Sequence, residues 1–566
     1  MMGKGYLRLV AYLLAILLSA LLFVGCTSDK KENDSEEQVS SENGNNVEQE
    51  QASGDSEKSE NSEETVEPGW KKDTSPVTFD WYVHFSWYNY NWGETLISKY
   101  VQEKTGVSIN FIVPAGNENE KLNTMIASNT LPDFVTLGWW EDGVRKMIDG
   151  GLVYSLNELA DKYDPYFYEV ASPQVLKWYE QDDGKTYGYP NFAVAPEDYE
   201  KYEKIPSNQT FVVRKDMYEA LGKPDMRTPE GFLAALKAAK EKFPEVNGQP
   251  LIPIGLHEFT DTGNYSLESY LANFLAIPRE KDGKLYDFRE DPEYIRWLKT
   301  FRKANEMGLL SPDIFIDKRA QMEEKIAQGR YFAMLYQRTD FVAAQQALYE
   351  RDPNSIYIAV DGPANSNLDP PKLAGPGISG WTLTMITKNC KHPDRAIRFV
   401  SYWLSEEGQR DMYLGRQGET WDIIDGKEQY LPKYAEMAQN NREQFDKIVG
   451  QDPLWMLGNS LIQMRWAPEP GPAVRQLEEW TYGKAVSYAI YDNLIPPSDS
   501  EEGIIHSKIA DLWGQTLPKL LLAKSDEEFD QIYQDFLKKR AEAGYEKLLA
   551  WQMQKLEENK KKLGIK

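Results

Sequence analysis

The chain has 566 residues, of which 41% are hydrophobic, and a formal net charge of −25 at pH 7. This length is too great for a single core and fits two large lobes. The acidic excess disfavours nucleic acid as a partner, because phosphate binding needs clustered Lys and Arg, and two cysteines with four scattered histidines exclude a disulfide framework and a thiolate metal cluster.

The first 25 residues have the pattern of a lipoprotein signal peptide. They begin with a basic stretch, continue with an apolar run and end at Gly25, directly before Cys26. This junction resembles the bacterial lipobox, in which the cysteine thiol is joined to diacylglycerol, although Phe23 stands where the motif usually has Leu. Cys26 is therefore the predicted lipidation site and the lipid is the predicted membrane anchor. A retained helix or plain secretion is the alternative.

Residues 26–75 are predicted to form a disordered acidic tether. The segment consists mostly of Ser, Glu, Asn, Gln and Lys, and its first aromatic residue is Trp70. Low hydrophobicity combined with high charge cannot offset the entropy lost on ordering.

The folded body begins with alternating strand and helix patterns. We predict strands over 77–83, 107–113 and 134–137, and helices over 94–104 and 118–128. This β-α-β-α-β order implies a parallel sheet flanked by helices.

Further signals follow along the chain. Thr228-Pro229-Glu230 opens a helix with an N-cap and a first-turn proline, Trp381–Thr387 alternates as a strand, and two charged helices meet near Gly544. Asp183-Gly184-Lys185 and Asp282-Gly283-Lys284 predict two hairpin turns.

Seven separated stretches resemble one protein family. They are, in chain order, MIASNTLPDFVTLG (125–138), GGLVYSLNELADKY (150–163), DGKTYGYPNF (183–192), VVRKDMYEALG (212–222), TPEGFLAALKAAKE (228–241), AQGRYFAML (327–335) and ITKNCKHPDRAIRFVSYWLSEEGQ (386–409). Taken in this order, they resemble the family 1 extracellular solute-binding proteins, specifically the LipO-like lipoproteins of carbohydrate ABC importers, over nearly all of residues 76–566.

The resemblance implies an α/β fold of the two-lobed periplasmic-binding-protein type II. Each lobe would be a mainly parallel sheet flanked by helices, with a hinge of crossing segments between the lobes. We place the first lobe at 76–205 plus about 380–450 and the second at 206–379 plus about 451–566. The resemblance further implies a monomer that binds its ligand without cofactor or catalysis and passes it to permease subunits.

Some members of this family carry a calcium loop rich in Asp and Asn before the strand that here covers 251–256. In this chain the loop is Glu245–Pro250, which lacks the alternating carboxylates that a hard cation needs. We therefore predict no metal site.

Aromatic residues follow two strands of the first predicted sheet. Trp87, Tyr88 and Trp92 come after the first strand, and Trp139 and Trp140 come after the third. Ligands of open parallel sheets lie beyond the carboxyl ends of the strands, and a flat ring suits the C–H face of a sugar. We predict that these five residues bind ligand; the alternative is that they pack beneath loops.

Three weaker candidates complete the predicted site. Trp381 opens a strand on whose face Leu383 also lies, so core burial is the favoured alternative. Trp421 lies where the family often places an aromatic loop near the cleft. Arg338 follows a strand, and an exposed pair with Asp340 is the favoured alternative.

These observations predict a lipid-anchored protein on the extracellular face of the cell membrane. It would capture a carbohydrate, namely an oligosaccharide, and deliver it to an ABC transporter permease. A binding protein for a peptide or another solute is one alternative. An extracellular carbohydrate-active enzyme is another, and it would need two carboxylates facing each other across the cleft; no motif singles out such a pair among the 89 acidic residues.

Overall fold

A computed structural model describes residues 66–116 and 118–565. The predicted signal peptide, Cys26 and most of the predicted tether lie outside these residues. The strands of the two larger sheets are β1 (Val77–Val83), β2 (Val107–Ile112), β3 (Phe134–Gly138), β4 (Tyr189–Pro190), β5 (Gln209–Arg214), β6 (Ile252–Gly255), β7 (Tyr331–Gln337), β8 (Tyr357–Ala359) and β9 (Thr382–Ile386).

Helices cover most of the remaining ordered chain. Those of eight or more residues are α1 (Leu96–Thr105), α2 (Glu118–Ser128), α3 (Asp142–Asp149), α4 (Leu156–Tyr163), α5 (Pro229–Lys242), α6 (Pro292–Glu306), α7 (Arg319–Ala327), α8 (Val342–Arg351), α9 (Pro393–Leu404), α10 (Glu406–Leu414), α11 (Pro432–Asn440), α12 (Glu501–Leu522), α13 (Asp526–Glu542) and α14 (Tyr545–Leu563). Shorter helices cover Phe167–Val170, Pro173–Tyr179, Asp198–Lys201, Lys215–Ala220, Leu271–Phe274, Arg442–Ile448, Ser460–Gln463 and Arg475–Glu479. Within the described residues, no helix combines the length and apolar character that crossing a membrane requires.

Both larger sheets are mainly parallel, as predicted, with one reversed strand in each. The first sheet has the order β2-β1-β3-β9-β4; β1 pairs in parallel with β2 and β3, and β9 runs antiparallel to β3 and β4. The second sheet has the order β8-β5-β7-β6; β7 is parallel to β6, and β5 is antiparallel to β7 and β8. Helices cover these sheets because their strands are apolar on both faces.

The chain crosses between the sheets from β4 to β5 and again from β8 to β9. The first residue of β5, Gln209, pairs with the last residue of β7, Gln337. Likewise, the first residue of β9, Thr382, pairs with the last residue of β3, Gly138. The carboxyl ends of the parallel strands in both sheets therefore meet at the crossing segments, where a cleft between two lobes is expected to bind ligand.

A chain of buried hydrogen bonds joins the central strands of the first sheet. The indole Nε1 of Trp81 donates to Thr136 Oγ1 over 2.8 Å, and the hydroxyl oxygens of Thr136 and Thr384 lie 2.8 Å apart. Because buried polar groups must be paired, these contacts fix β1, β3 and β9 side by side.

The folded body begins before the predicted end of the tether at residue 75. Trp70 is buried with its ring centroid 4.8 Å from that of Tyr402, and the backbone N–H of Gly69 donates to Asp164 Oδ1 over 3.1 Å. One large apolar ring is enough to order its neighbours here, although the average composition of the tract is polar. The chain from Gly69 onward thus already contacts the folded body, within the segment predicted as tether.

The first lobe also takes in chain beyond residue 450. Leu454, Met456 and Trp466 are buried in the same core as the first sheet, whereas Trp513 and Phe529 belong to the core of the second sheet. The segment after 451, predicted for the second lobe, thus begins in the first core, and the other lobe boundaries stay predictions.

Of the two predicted hairpins, only the second has its strands. Asp282-Gly283 joins two short antiparallel strands, Glu280–Lys281 and Lys284–Leu285. The chain at Asp183–Lys185 forms a turn instead, because the backbone N–H of Thr186 donates to Asn157 Oδ1 and holds the outgoing chain against α4. The other two-stranded ladders pair Glu245–Val246 with Gln249–Pro250, Phe259–Thr260 with Gly263–Asn264, Leu373–Ala374 with Ala485–Val486 and Trp421–Ile424 with Lys427–Tyr430.

Asp452 carries a carboxylate that the first lobe does not neutralise. The residue is half-buried, but its Oδ1 is buried without a hydrogen-bond partner. Burial raises the pKa of this carboxyl to about 7, because a low-dielectric surrounding disfavours the charged form.

Replacing Asp452 by Asn is expected to stabilise the protein, and more so at pH 8 than at pH 4.5. The folded state keeps this proton up to a pKa of about 7, whereas the unfolded chain releases it near pH 4. Stability is therefore lost as the pH rises through this window, and the neutral amide should remove about 2–4 kcal/mol of that cost at pH 8. Thermal melts at both pH values measure the effect.

Asp425→Asn is the matched control. Asp425 has a φ of 53° and Asp452 a φ of 50°, and Asn accepts this left-handed conformation at both positions, but Asp425 is exposed. Equal melting temperatures of the two variants at pH 8 would contradict the proposed cost of the buried carboxylate.

Candidate functional site

Four aromatic rings form a wall at the carboxyl end of the first sheet: Phe85, Trp87, Trp381 and Trp455. The three indole planes are close to parallel, with centroid distances of 6.0 Å at 8° for Trp87–Trp381, 5.6 Å at 21° for Trp87–Trp455 and 4.8 Å at 23° for Trp381–Trp455. Phe85 lies 5.1 Å from Trp381 at 27° and is tilted by 49° from Trp455. Trp87 is 59% exposed and Trp381 36% exposed. We call these four rings the aromatic wall; it exposes apolar ring surface to solvent through Trp87 and Trp381.

Three distant segments supply the wall because their strands are neighbours in the sheet. Phe85 and Trp87 follow β1, Trp381 immediately precedes β9, and Trp455 begins a short 3₁₀ turn over Trp455–Leu457. The turn into β9 requires Gly380, which has a φ of 63° and whose Cβ, if present, would lie 2.0 Å from a backbone carbonyl oxygen.

The side chain of Asn191 joins two of these segments. It is fully buried; its Oδ1 accepts hydrogen bonds from the backbone N–H groups of Trp381 (3.2 Å) and Thr382 (2.7 Å), and its Nδ2 donates to the carbonyl of Trp455 (3.2 Å). One amide therefore sets the distance between the backbones that carry Trp381 and Trp455.

The segment that carries Trp455 is held along its whole length. Its other carbonyls accept hydrogen bonds from the Tyr88 hydroxyl to Pro453 (2.8 Å), the Thr384 hydroxyl to Met456 (3.3 Å), the Gln409 amide to Leu457 (3.0 Å) and the Phe192 backbone N–H to Gly458 (2.8 Å). Pairing of these carbonyls makes the segment a rigid part of the lobe rather than a free loop.

Trp140 lies near the wall, and the half-buried ring of Trp139 packs against Trp140. Trp140 is 52% exposed and lies over Gly138, where a Cβ would come within 2.7 Å of its ring. Gly138 pairs with Thr382, the residue after Trp381. Trp139 is half-buried and meets Trp140 edge to face at 5.8 Å, so of these two rings it is Trp140 that extends the surface.

Two of the predicted residues after β1 lie away from the exposed surface. Tyr88 is buried, and its hydroxyl is used on Pro453, so it supports the Trp455 segment from behind. The indole Nε1 of Trp92 donates to the carbonyl of Val107, the first residue of β2. Trp92 therefore lies toward the amino end of the sheet, opposite to the wall.

Trp421 and Arg338 are engaged within the protein. Trp421 is buried in the first core, and its indole N–H donates to the carbonyl of Gly415 over 2.8 Å. Arg338 donates to the carbonyl of Ser207 (2.8 Å) and to Glu478 (2.7 Å). The arginine thus ties the end of β7 to the crossing segment, and the exposed pair with Asp340 considered from the sequence is replaced by these contacts.

The second lobe has its own aromatic groups after β6 and near the end of β7. Tyr265 is exposed and lies edge to face with His257, which also packs on Tyr336 at 4.2 Å. The Ser266 hydroxyl donates to the carbonyl of Leu335, so His257 Nδ1, 2.6 Å away, donates to Ser266 and the buried Nε2 is left as an acceptor without a partner. Burial lowers the pKa of His257 to about 4, so the ring is neutral at physiological pH.

Sequence reasoning missed Phe85, Trp455 and Asn191. Phe85 adjoins a predicted residue, but Trp455 and Asn191 lie in segments without a strand or helix pattern. No local signal marks either of them; only the order of the strands brings them together.

Known proteins share this architecture. A family model for bacterial extracellular solute-binding proteins matches residues 95–420. The lipoprotein LipO of Bacillus subtilis is 22% identical over 358 residues, which are 61% of this chain and 66% of LipO. The fructooligosaccharide ABC transporter substrate-binding protein FusA of Streptococcus pneumoniae is 24% identical over 232 residues, 39% of this chain and 42% of FusA. The matched segments thus span less than two thirds of either relative.

Solved structures extend the similarity to the whole described body. FusA in complex with kestose superposes with a TM-score of 0.62 at 17% identity, covering 85% of this chain and 99% of that one. The alginate-binding protein AlgQ2, solved without calcium ion, superposes with a TM-score of 0.60 at 19% identity, covering 86% and 99%. These matches confirm the two-lobed type II fold. The family model also covers more than half of this chain. The chain therefore belongs to the bacterial extracellular solute-binding proteins.

Proposed function

We propose that this protein binds an oligosaccharide in the cleft between its lobes and delivers it, chemically unchanged, to the permease subunits of an ABC transporter. In this proposal it acts as a monomer on the extracellular face of the cell membrane, attached by a lipid on Cys26. The aromatic wall is the observation that carries the proposal.

The wall fits the C–H face of a pyranose or furanose ring. Trp87 and Trp381 of the wall, and Trp140 near it, are large apolar rings that stay exposed. Hydroxyl groups at the sugar edge need hydrogen-bond partners, and the exposed Tyr265 of the second lobe carries a hydroxyl that can serve as one. Apolar walls combined with a few placed polar groups are the general pattern of small-molecule sites.

The known ligands of the similar proteins support the same proposal. FusA is named for fructooligosaccharide and AlgQ2 for alginate, so both relatives bind saccharides. Membership of the solute-binding family favours binding over catalysis. A peptide ligand is the second candidate, since aromatic walls also accept apolar side chains.

Trp87→Ala is expected to weaken the dissociation constant for the native sugar about thirtyfold, which corresponds to about 2 kcal/mol. The melting temperature should change little, because Trp87 is mostly exposed. Native mass spectrometry of the protein purified with its captured ligand identifies the sugar, and calorimetry with that sugar measures the affinity.

Trp421→Phe serves as the control for this experiment. Trp421 is buried and its N–H is bonded to a carbonyl, so its replacement should lower the melting temperature and leave the affinity unchanged. Normal sugar affinity in Trp87→Ala, Trp381→Ala and Trp455→Ala would refute the wall as the site. A captured peptide would favour the second candidate, and release of shorter sugars from an incubated oligosaccharide would indicate an enzyme.

Asn191→Ala is expected to weaken sugar binding about tenfold or more, because the Trp381 and Trp455 backbones lose their shared amide. Gln345→Ala is a matched control: Gln345 is also a fully buried amide with three backbone hydrogen bonds, to Tyr357 and Ala473 in the second lobe. Both variants should melt earlier than the wild type. If both bind sugar equally well below their melting temperatures, Asn191 is not a positioning residue for the site.

The proposed anchor is tested separately by Cys26→Ala. The variant should lack lipid and appear in the medium or unprocessed at the membrane, because the thiol that would accept diacylglycerol is missing. Metabolic labelling with a radioactive fatty acid, followed by cell fractionation, measures both. Retention of a cleaved, unlabelled Cys26→Ala chain on the cell surface would contradict lipid anchoring.

A further inference from the structure

The segments that carry the aromatic wall contain no charged side chain. Residues 84–93, 376–381 and 453–459 include no Asp, Glu, Lys or Arg, although 27% of the whole chain is charged. The segments of the wall therefore offer a ligand no charged partner of their own.

The wall rings also lack the cations that many other aromatic rings of this protein have. Arg410 lies 5.6 Å from the ring of Trp421 and Lys484 lies 4.4 Å from that of Trp480. Among the described residues, no Lys or Arg lies over any of the four wall rings. A sugar carboxylate bound here would find no charge-assisted donor above the rings.

Acidic groups stand at the rim of the wall. Glu118 accepts a hydrogen bond from the Ser86 hydroxyl over 2.5 Å, one residue before Trp87, and this bond lowers the pKa of Glu118. Glu141 and Asp142 directly follow Trp140. Their negative charges would repel an anionic ligand.

Two arginines near the cleft end of β7 form ion pairs with carboxylates of the protein. Arg338 is held by Glu478 and by the carbonyl of Ser207. Arg319 contacts the buried Asp340 at 2.9 Å and Glu323 at 2.7 Å. Recruiting Arg338 to a ligand would take a largely buried guanidinium away from Glu478 and leave that carboxylate without its counter-charge, which is costly.

We infer that the ligand is a neutral oligosaccharide and that the site rejects uronic-acid and sulfated sugars. This inference rests on the proposed function, since it specifies which saccharides the aromatic wall accepts. The rejection follows from desolvation: an anion placed against neutral rings loses its water and gains no cation in return.

Calorimetry on the wild-type protein with two matched sets of tri- to pentasaccharides tests this inference. One set is neutral, comprising fructo-, gluco-, galacto- and manno-oligosaccharides; the other is anionic, comprising oligogalacturonate and oligomannuronate. We expect binding within the neutral set, at least a hundredfold weaker binding of every anionic sugar, and an affinity that changes less than about twofold between low and high salt.

The outcomes separate this inference from the function on which it rests. An anionic sugar that binds as tightly as the best neutral one would overturn the inference and leave the proposed function standing. If neither set binds, the mass of the ligand captured during purification decides: a neutral saccharide supports the inference, an acidic saccharide overturns it, and a ligand that is not a saccharide overturns the proposed function as well.

Discussion

The amide of Asn191 is the constraint on which the aromatic wall depends. Its oxygen accepts from the chain that enters β9, and its nitrogen donates to the segment that carries Trp455. A buried amide that lost one partner would pay the full cost of desolvation, so the two backbones cannot separate independently. The rings stay close to parallel because this spacing is set in the interior, and the exposed face of the wall is rigid before any ligand arrives.

The order of elements in the first sheet was predictable, because the period of apolar residues changes visibly between strand and helix. The predicted helix over 118–128 matches α2 residue for residue, and the strand over 77–83 matches β1. The end of the tether was not predictable in the same way. A window average over 26–75 is dominated by its polar residues, whereas the contact of Trp70 with Tyr402 depends on a residue more than three hundred positions away.

The site was predictable only in part. The exposed position of Trp87 and Trp140 at this edge was predictable, because loops after parallel strands share one edge of a sheet. For Trp381, strand alternation with Leu383 favoured burial, but the strand begins one residue later, after the turn at Gly380, so the alternation does not apply to it. Trp421 and Arg338 have the chemistry of ligand-binding residues, yet the protein itself uses their hydrogen-bonding groups. Composition cannot distinguish a satisfied side chain from one that is free for a ligand.

The distribution of contacts between the lobes indicates where closure draws its energy. On the side of the crossing segments, Lys562 of α14 donates to the carbonyls of Trp178 and Glu180 in the first lobe, and Lys560 pairs with Glu280 in the second. At the cleft end, Arg145 of α3 forms an ion pair with Asp499, which lies just before α12. This pair is exposed, so water and salt screen it. The Arg145–Asp499 pair therefore contributes little to holding the lobes together at this end. The proposed closure would then depend mainly on what lies between the lobes, where the aromatic wall exposes apolar ring surface. In the proposed function, a ligand that covers these rings would supply the free energy that shifts the protein toward its closed form.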